Sequence, residues 1–448
     1  MSRPTLELVM IVRNGGAGLA RCLKSVLPVV DGILIGDTGS TDDSVSIARA
    51  LGAYVFDVPW ENDFSRARNA VLSVARADWV LSMDADEMLD PDGASLIPSL
   101  LAQSEIDAFE VWRWNYVRSL NSRSGGLMAE PNPYRLQESR PYPAYTRYLN
   151  TLLFRRNPGV YFENPVHETV AKRVVAMGLK AAGAPFVIHH FGFVEDAEQV
   201  RKDKSEFYQQ LGLQKVHDNP QDDWAHYELG LGELELHHNP AAALACFEWA
   251  RGLNPANENA WIYAGICLTR LGRLPEALDR LRHAVTLGVR SSLLSEAIGD
   301  VFFHQGDACQ AAHWYEQVGA TGTPSALVDC KRGACQVRLD DVAAGMQRIE
   351  AAVAREPEAG ELYEIWAAAA VQAGDAVTAA RAATQRLTVG TAPAGSFLIA
   401  AVFVVHLGHW DLALEILLDG LKVYPGDPML EMEAETAQKK VEELNLTR

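Results

Sequence analysis

The sequence predicts an α/β domain built on a mostly parallel sheet, followed by an all-α solenoid. Three observations predict it. Apolar runs of strand length alternate with helical segments between Leu6 and Met83. Polar clusters fall where those strands end. From about residue 223 onward, small residues recur about every 34 positions. At 448 residues the chain can hold two domains, each with its own core.

Leu6–Val12 is a short apolar run with β-branched residues that meets Arg13-Asn14-Gly15-Gly16, hence a strand and then a turn. Leu19, Cys22, Leu23, Val26 and Leu27 follow at helical spacing, giving one apolar face before Pro28 closes the helix. A second strand, Gly32–Gly36, runs into Asp37-Thr38-Gly39-Ser40-Thr41-Asp42. There glycine permits a tight turn, and Ser40 or Thr41 can cap the helix carrying Val45, Ile47 and Ala48. A third strand covers Ala53–Val58, and a further helix lies around Asp63–Ala70. The next apolar run starts at Trp79 and ends in two acids one residue apart, Asp84 and Asp86. This βαβαβαβ order gives parallel pairing, and such sheets bind ligands at the carboxyl ends of their strands.

Side chains at i and i+2 of an extended segment share a side, so Asp84 and Asp86 could both face one hard cation or a ribose. Alone, an Asp-x-Asp triplet reads as a solvated turn. Its company separates it from that reading. Met10-Ile-Val-Arg-Asn14, Asp37-Thr-Gly-Ser-Thr-Asp42, Asp63-Phe-Ser-Arg-Ala-Arg-Asn69 and Asp84-Ala-Asp-Glu87, in this order and spacing, resemble glycosyltransferase family 2. They resemble in particular its soluble members with C-terminal tetratricopeptide repeats, a group that includes peptide S-glycosyltransferases. The resemblance covers about the first 195 residues.

It implies a GT-A fold, Rossmann-like, that transfers a sugar from a nucleotide donor, usually with inversion, using Mn²⁺ or Mg²⁺. The donor is expected to be a UDP-sugar. Carried over by motif, Asp37 matches the acid that contacts the base or ribose, and Arg68 and Asn69 match the polar helix start beside it. Val12 and Asn14 complete the donor-binding set at the end of the first strand. Asp84 is the first acid of the metal motif, counted with both donor and metal, and Asp86 is the acid expected on the metal. After Asn14 the family usually places Glu, whereas this chain has Gly15-Gly16, which leaves that nucleotide contact without its side chain.

The residue types suit the chemistry. A sugar diphosphate leaves as a multiply charged anion, and a divalent ion held by oxygen ligands lowers that barrier. Inversion also needs a base on the acceptor side. Tyr161-Phe-Glu-Asn-Pro-Val-His-Glu168 and Ala184–Phe193 resemble the later motifs of the family. Glu168 is the preferred base over His167, with Glu163 third. His190, ahead of His189, is the candidate third metal ligand or diphosphate contact, since Mn²⁺ tolerates imidazole. Buried histidines satisfied by a carbonyl and surface His-Glu ion pairs are the plain structural alternatives.

Between these motifs Arg118–Arg147 lacks periodicity and reads as a long loop. Its Tyr134, Tyr142 and Tyr145, with Tyr148, could line an acceptor groove or pack at the rim. Arg135, Arg147, Arg155 and Arg156 could form a basic patch there.

The small-residue repeat aligns Gly230, Gly265, Gly299, Gly333, Ala367 and Ala401 in the first helices of about six tetratricopeptide-like units. Ala243, Ala277, Ala311 and Ala413 lie in the second helices, and Pro255, Pro357 and Pro425 close three units. Domain limits are therefore placed at 1–195, a charged helical connector at 196–222, and repeats at 223–448.

A formal net charge of −18 argues against broad binding of nucleic acid or anionic lipid. Six scattered cysteines without metal-ligand spacing read as buried thiols in a reducing compartment. No signal-peptide pattern opens the chain, and its longest apolar run, Phe397–Val405, is too short to span a bilayer. The expectation is a cytoplasmic, metal-dependent transferase with a peptide or protein acceptor, held by the repeats. These also leave a homodimer open. The alternatives are a transferase for a surface or lipid-linked glycan, and a repeat scaffold with an inactive transferase domain.

Overall fold

The structure, a computed structural model, describes residues 3–120, 122–124, 127–133, 136–195, 198–321 and 324–446. The chain divides into two compact units, Met1–Ala260 and Trp261–Arg448.

In the first unit β1 (Leu6–Val12), α1 (Gly16–Val26), β2 (Gly32–Asp37), α2 (Ser44–Ala50), β3 (Tyr54–Asp57), α3 (Phe64–Val74) and β4 (Trp79–Ser82) follow the predicted alternation. β5 (Glu87–Leu89), α4 (Pro91–Leu101), β6 (Ala108–Val117), β7 (Arg123–Ser124), β8 (Leu127–Met128), β9 (Glu130–Pro131), β10 (Ala144–Arg155), α5 (Ala171–Ala176), β11 (Ala181–His190) and α6 (Gly192–Glu195) come next. The main sheet runs β3-β2-β1-β4-β10-β6-β11-β5, with β9 alongside β10.

Its first four strands are parallel, as the βαβ order requires. The later half is mixed: β10 is antiparallel to β4 and β6, β11 is parallel to β6, and β5 is antiparallel to β11. Met83-Asp84-Ala85-Asp86 alone joins β4, inside the sheet, to β5 at its far edge. The two acids therefore lie where the chain crosses the strand ends.

β1 is apolar at nearly every position because both of its faces are covered. Leu6, Leu8 and Met10 pack with Leu19, Leu23 and Val26 of α1, while Val9 packs on the opposite face with Val71 of α3 and Val80. Burying each such side chain stabilises the fold by about 1.5–3 kcal/mol. α3 starts where Asp63, in an extended conformation, accepts a hydrogen bond from the Arg66 amide at 3.0 Å.

The segment read as one long loop instead contains the β7–β8 ribbon and leads into β10, whose twelve residues carry no clean alternation. Tyr145 is buried and stacks on Trp114. Arg155 and Arg156 donate to the carbonyls of Ile106 and Ala77, each at 3.0 Å, and so brace turns. Tyr134 and Arg135 lie outside the described residues.

A connector helix, α7 (Glu198–Asp218), precedes the first repeat hairpin, α8 (Asp223–Glu235) and α9 (Pro240–Leu253). The hairpins continue as α10 (Glu258–Arg270) with α11 (Leu274–Thr286), α12 (Ser292–Gln305) with α13 (Ala308–Thr321), and α14 (Ala326–Arg338) with α15 (Val342–Arg355). They end as α16 (Gly360–Gln372) with α17 (Ala376–Leu387), α18 (Ala394–His406) with α19 (Trp410–Val423), and a closing α20 (Pro428–Leu446).

The aligned glycines sit where paired helices cross. A Cβ at Gly230 would fall 2.8 Å from the Phe247 ring, at Gly265 2.6 Å from Leu281, and at Gly299 2.6 Å from Tyr315. Pro255, Pro357 and Pro425 each stand two residues past a second helix, where a proline cannot continue it. Cys22, Cys267, Cys330 and Cys335 are buried, Cys246 is half-buried and Cys309 is exposed, all as free thiols. Among the described residues no helix is long and apolar enough to cross a membrane.

Candidate active site

The site lies in the first unit at the carboxyl ends of β1, β2 and β4. Thr38 donates from its amide to the Val12 carbonyl at 2.9 Å, which fixes the ends of β1 and β2 side by side. Asn14, at φ 55°, accepts from the Thr41 amide at 2.8 Å and donates its own amide to Ser40 Oγ at 3.0 Å. Gly15 donates to Ser44 Oγ at 2.8 Å. Val12 and Asn14 thus weld the two strand-end turns. Asp37 is buried and accepts from the Ser40 amide at 3.1 Å, holding its turn at the mouth of β2.

Arg68 and Asn69 are neighbours with different tasks. The Asn69 amide group donates to the Phe162 carbonyl and accepts from the Phe162 amide, both at 2.8 Å, and so clamps the 160–170 segment to α3. Arg68 is buried; it donates from Nε to Glu168 Oε1 at 2.6 Å and pairs through Nη2 with Asp84 Oδ1. Burial opposes the Arg68 charge, but the two carboxylates outweigh it and push its pKa up.

Arg113, from β6, completes the arrangement. Its Nη2 lies 3.4 Å from Asp84 Oδ2, and its Nε pairs with Glu87 Oε1. Burial works to raise the Asp84 pKa, and the two guanidinium groups overcome it and pull it down. Glu87 is fully buried, and burial pushes its carboxyl up to about 7 against the pull of Arg113. Its Oε2 accepts from the Asp84 amide at 2.7 Å. Glu168, Arg68, Asp84, Arg113 and Glu87 therefore form one chain of alternating charge, with both Asp84 oxygens facing guanidinium groups.

Asp86 stands outside that chain. Its Oδ2 lies 3.4 Å from His190 Nε2, and His190 Nδ1 lies 2.9 Å from Asn115 Oδ1. Sheet register sets this up: His190, the last residue of β11, is level with Asn115 of β6 and with Glu87 of β5. Burial lowers the His190 pKa, but Asp86 more than offsets it, so the net direction is up. His189 points to the other face, as strand alternation dictates, and is buried with Nδ1 2.8 Å from the Tyr116 hydroxyl.

Asp86 and His190 face each other with one carboxylate oxygen and one imidazole nitrogen, a donor set that fits Mn²⁺ or Mg²⁺ if phosphate and water complete the shell. Among the described residues no three His, Cys, Asp or Glu side chains converge as a ready-made cage.

His167 is exposed and held at φ 53°, between Glu163 and Thr169, whose backbones pair at 3.0 and 3.2 Å. Glu163 contributes its backbone to that pairing. Tyr148 is 42 % exposed and opposite Arg113 across the β10–β6 pair, on the face that carries the site.

Arg113, Asn115, Glu87 and Gly192 were not singled out from the sequence. Arg113 and Asn115 had a signal, polar residues alternating with Trp112, Trp114 and Tyr116 in one strand. Glu87 followed the acid pair directly and gave no sign of its burial.

Residues 7–157 match the model of glycosyl transferase family 2, and residues 227–288 match that of a tetratricopeptide repeat. The chain is 32% identical to a TPR repeat-containing protein of Synechococcus elongatus over 50% of this chain and 51% of that protein. It is 35% identical to an uncharacterized glycosyltransferase of Rickettsia felis over 23% of this chain and 36% of that protein. It is 32% identical to the SPbeta prophage-derived glycosyltransferase SunS of Bacillus subtilis over 21% of this chain and 23% of that protein. The chain thus spans about half or less of the length of these relatives. It carries a family 2 glycosyltransferase domain ahead of tetratricopeptide repeats.

Proposed function

We propose that this chain, a family 2 glycosyltransferase domain joined to tetratricopeptide repeats, transfers a sugar from a nucleotide donor to a peptide or protein, with inversion at the anomeric carbon. The observation that carries the proposal is the apposition of Asp86 and His190 at the open end of the sheet, beside the Arg68 bridge between Asp84 and Glu168. The names of two relatives support transfer of a sugar. The repeats, a frequent scaffold for protein partners, support a polypeptide acceptor.

Asp37 and the β1–β2 turns form the nucleotide end. Asp86 and His190 would hold Mn²⁺ or Mg²⁺, which when bound neutralises the departing diphosphate. Arg68 keeps Glu168 Oε1 fixed at 2.6 Å, which leaves Oε2 to take the acceptor proton as the new glycosidic bond forms on the face opposite the diphosphate. Tyr148 offers an exposed ring beside Arg113 on which an acceptor segment or the sugar can stack. A UDP-sugar is the expected donor.

Donor hydrolysis and binding by the purified chain, against UDP-, GDP- and dTDP-sugars with Mn²⁺, Mg²⁺ or EDTA, test this. Metal-dependent selection of one donor is the expected result. Failure to bind any donor would overturn the proposal.

A further inference from the structure

Gly192 opens α6, two residues after His190. Its backbone does not require glycine: it is absent from the residues with positive φ, so any L-residue could adopt its conformation. Space is the reason that remains. A Cβ built at this position would fall well inside contact distance of Asp86 Oδ2, 3.0 Å from His190 Nε2 and 3.2 Å from Asp86 Cγ. The volume that a side chain would fill is therefore the volume that both candidate ligand atoms border.

The backbone there cannot retreat easily. Phe191 donates its amide to the Asp86 carbonyl at 3.1 Å, which ties the two segments together one residue before the glycine. Arg21 of α1 covers the Phe191 ring at 4.1 Å and pairs with Glu195 at 2.6 Å, bracing α6 from the other side. His190 is anchored in turn by Asn115.

We propose that Gly192 is a positioning residue whose missing side chain keeps a divalent cation's place between Asp86 Oδ2 and His190 Nε2. This rests on the cation role of those two side chains. Ligand distances on the order of 2 Å leave no room for a methyl group at that point. Alanine at 192 must either push Asp86 away from His190 or occupy the cation's position.

The test uses the full chain with Mn²⁺ alone as the probe, its binding followed by the loss of the free Mn²⁺ electron paramagnetic resonance signal. Thermal melts are recorded in parallel for wild type, Gly192→Ala, Asp86→Ala and the double variant. Gly192→Ala is expected to weaken Mn²⁺ binding at least tenfold and to lower the melting temperature. The loss in melting temperature should shrink in the Asp86→Ala background, where the opposing carboxylate is gone.

Equal Mn²⁺ binding by wild type and Gly192→Ala would overturn the role of Gly192 alone. Absence of Mn²⁺ binding by wild type would overturn the cation role and this proposal with it. If Gly192→Ala does not fold, a folded double variant supports the steric placement, and a double variant that is equally unfolded overturns it.

Discussion

Arg68 and Glu168, a hundred positions apart in sequence, are joined by a 2.6 Å hydrogen bond from Nε to Oε1, and the same guanidinium holds Asp84. One buried cation thus ties the candidate base on the acceptor side to the first acid on the donor side. Arg68→Met leaves Glu168 without this cation and Asp84 with Arg113 alone. The expected cost is about 3 kcal/mol of stability, together with loss of transfer. Arg68→Lys keeps the charge but cannot reach both partners from one planar fork, so it should lose less stability and still transfer poorly. Denaturant unfolding and transfer assays on the two variants check this; wild-type behaviour in both would contradict the bridge.

Asp86→Asn keeps the size of the side chain and removes its charge. The expected result is a fold with an unchanged circular dichroism spectrum and a loss of turnover of at least a hundredfold, on the order of 3 kcal/mol in the barrier. Asp84→Asn should differ, because it leaves Arg68 and Arg113 without their shared partner and lowers stability as well. A fully active Asp86→Asn protein would remove the metal assignment.

Glu168→Gln and His167→Gly separate the two base candidates. His167 occupies a left-handed conformation that glycine adopts freely, so His167→Gly should fold with equal or higher stability. Transfer should survive in His167→Gly and fail in Glu168→Gln with donor binding kept. The opposite pattern would move the base to the imidazole.

Asp78 gives a pH dependence with a definite sign. Its Oδ2 accepts from the Thr5 amide at 2.8 Å and from Thr5 Oγ1 at 2.9 Å, and these bonds hold its carboxyl below the ordinary 3.8. The folded pKa is depressed, so the stabilisation is present above the unfolded value and is lost as pH falls through the folded one. Wild type should therefore melt above Asp78→Asn near pH 7, and the gap should close as the pH falls below the ordinary carboxylate range. A gap independent of pH would show that the difference does not come from the ionised carboxylate, and no gap near pH 7 would show that the amide replaces it without loss.

The parallel half of the sheet was legible because β1, β2 and β4 are apolar runs punctuated by Gly, Asn and Asp turns, and the repeats were legible because Gly230, Gly265, Gly299 and Gly333 mark a fixed spacing. The strand-like run from Ala184 begins within β11, whereas β10 was harder. Tyr145, Thr146, Arg147 and Tyr148 mix burial with exposure on a strand that is edged by β9 at one end and enclosed at the other, so no period-two pattern survives. In the site, the facing of Asp86 and His190 could be anticipated from motif positions. Arg113, the second guanidinium partner of Asp84, depends on β6 arriving next to β10, a long-range pairing that leaves no local signature. Asn69 was grouped with the donor contacts by its place in a motif, and the structure shows its side chain holding the Phe162 backbone.

The crossing from β4 to β5 makes the acids part of the sheet's own closure. Because only Met83–Asp86 separates the inner strand β4 from the edge strand β5, the edge strand cannot detach without drawing Asp86 away from His190. Loss of the edge strand is therefore expected to take the site with it. Amide exchange at Glu87–Leu89 and donor binding should accordingly be lost at the same denaturant concentration.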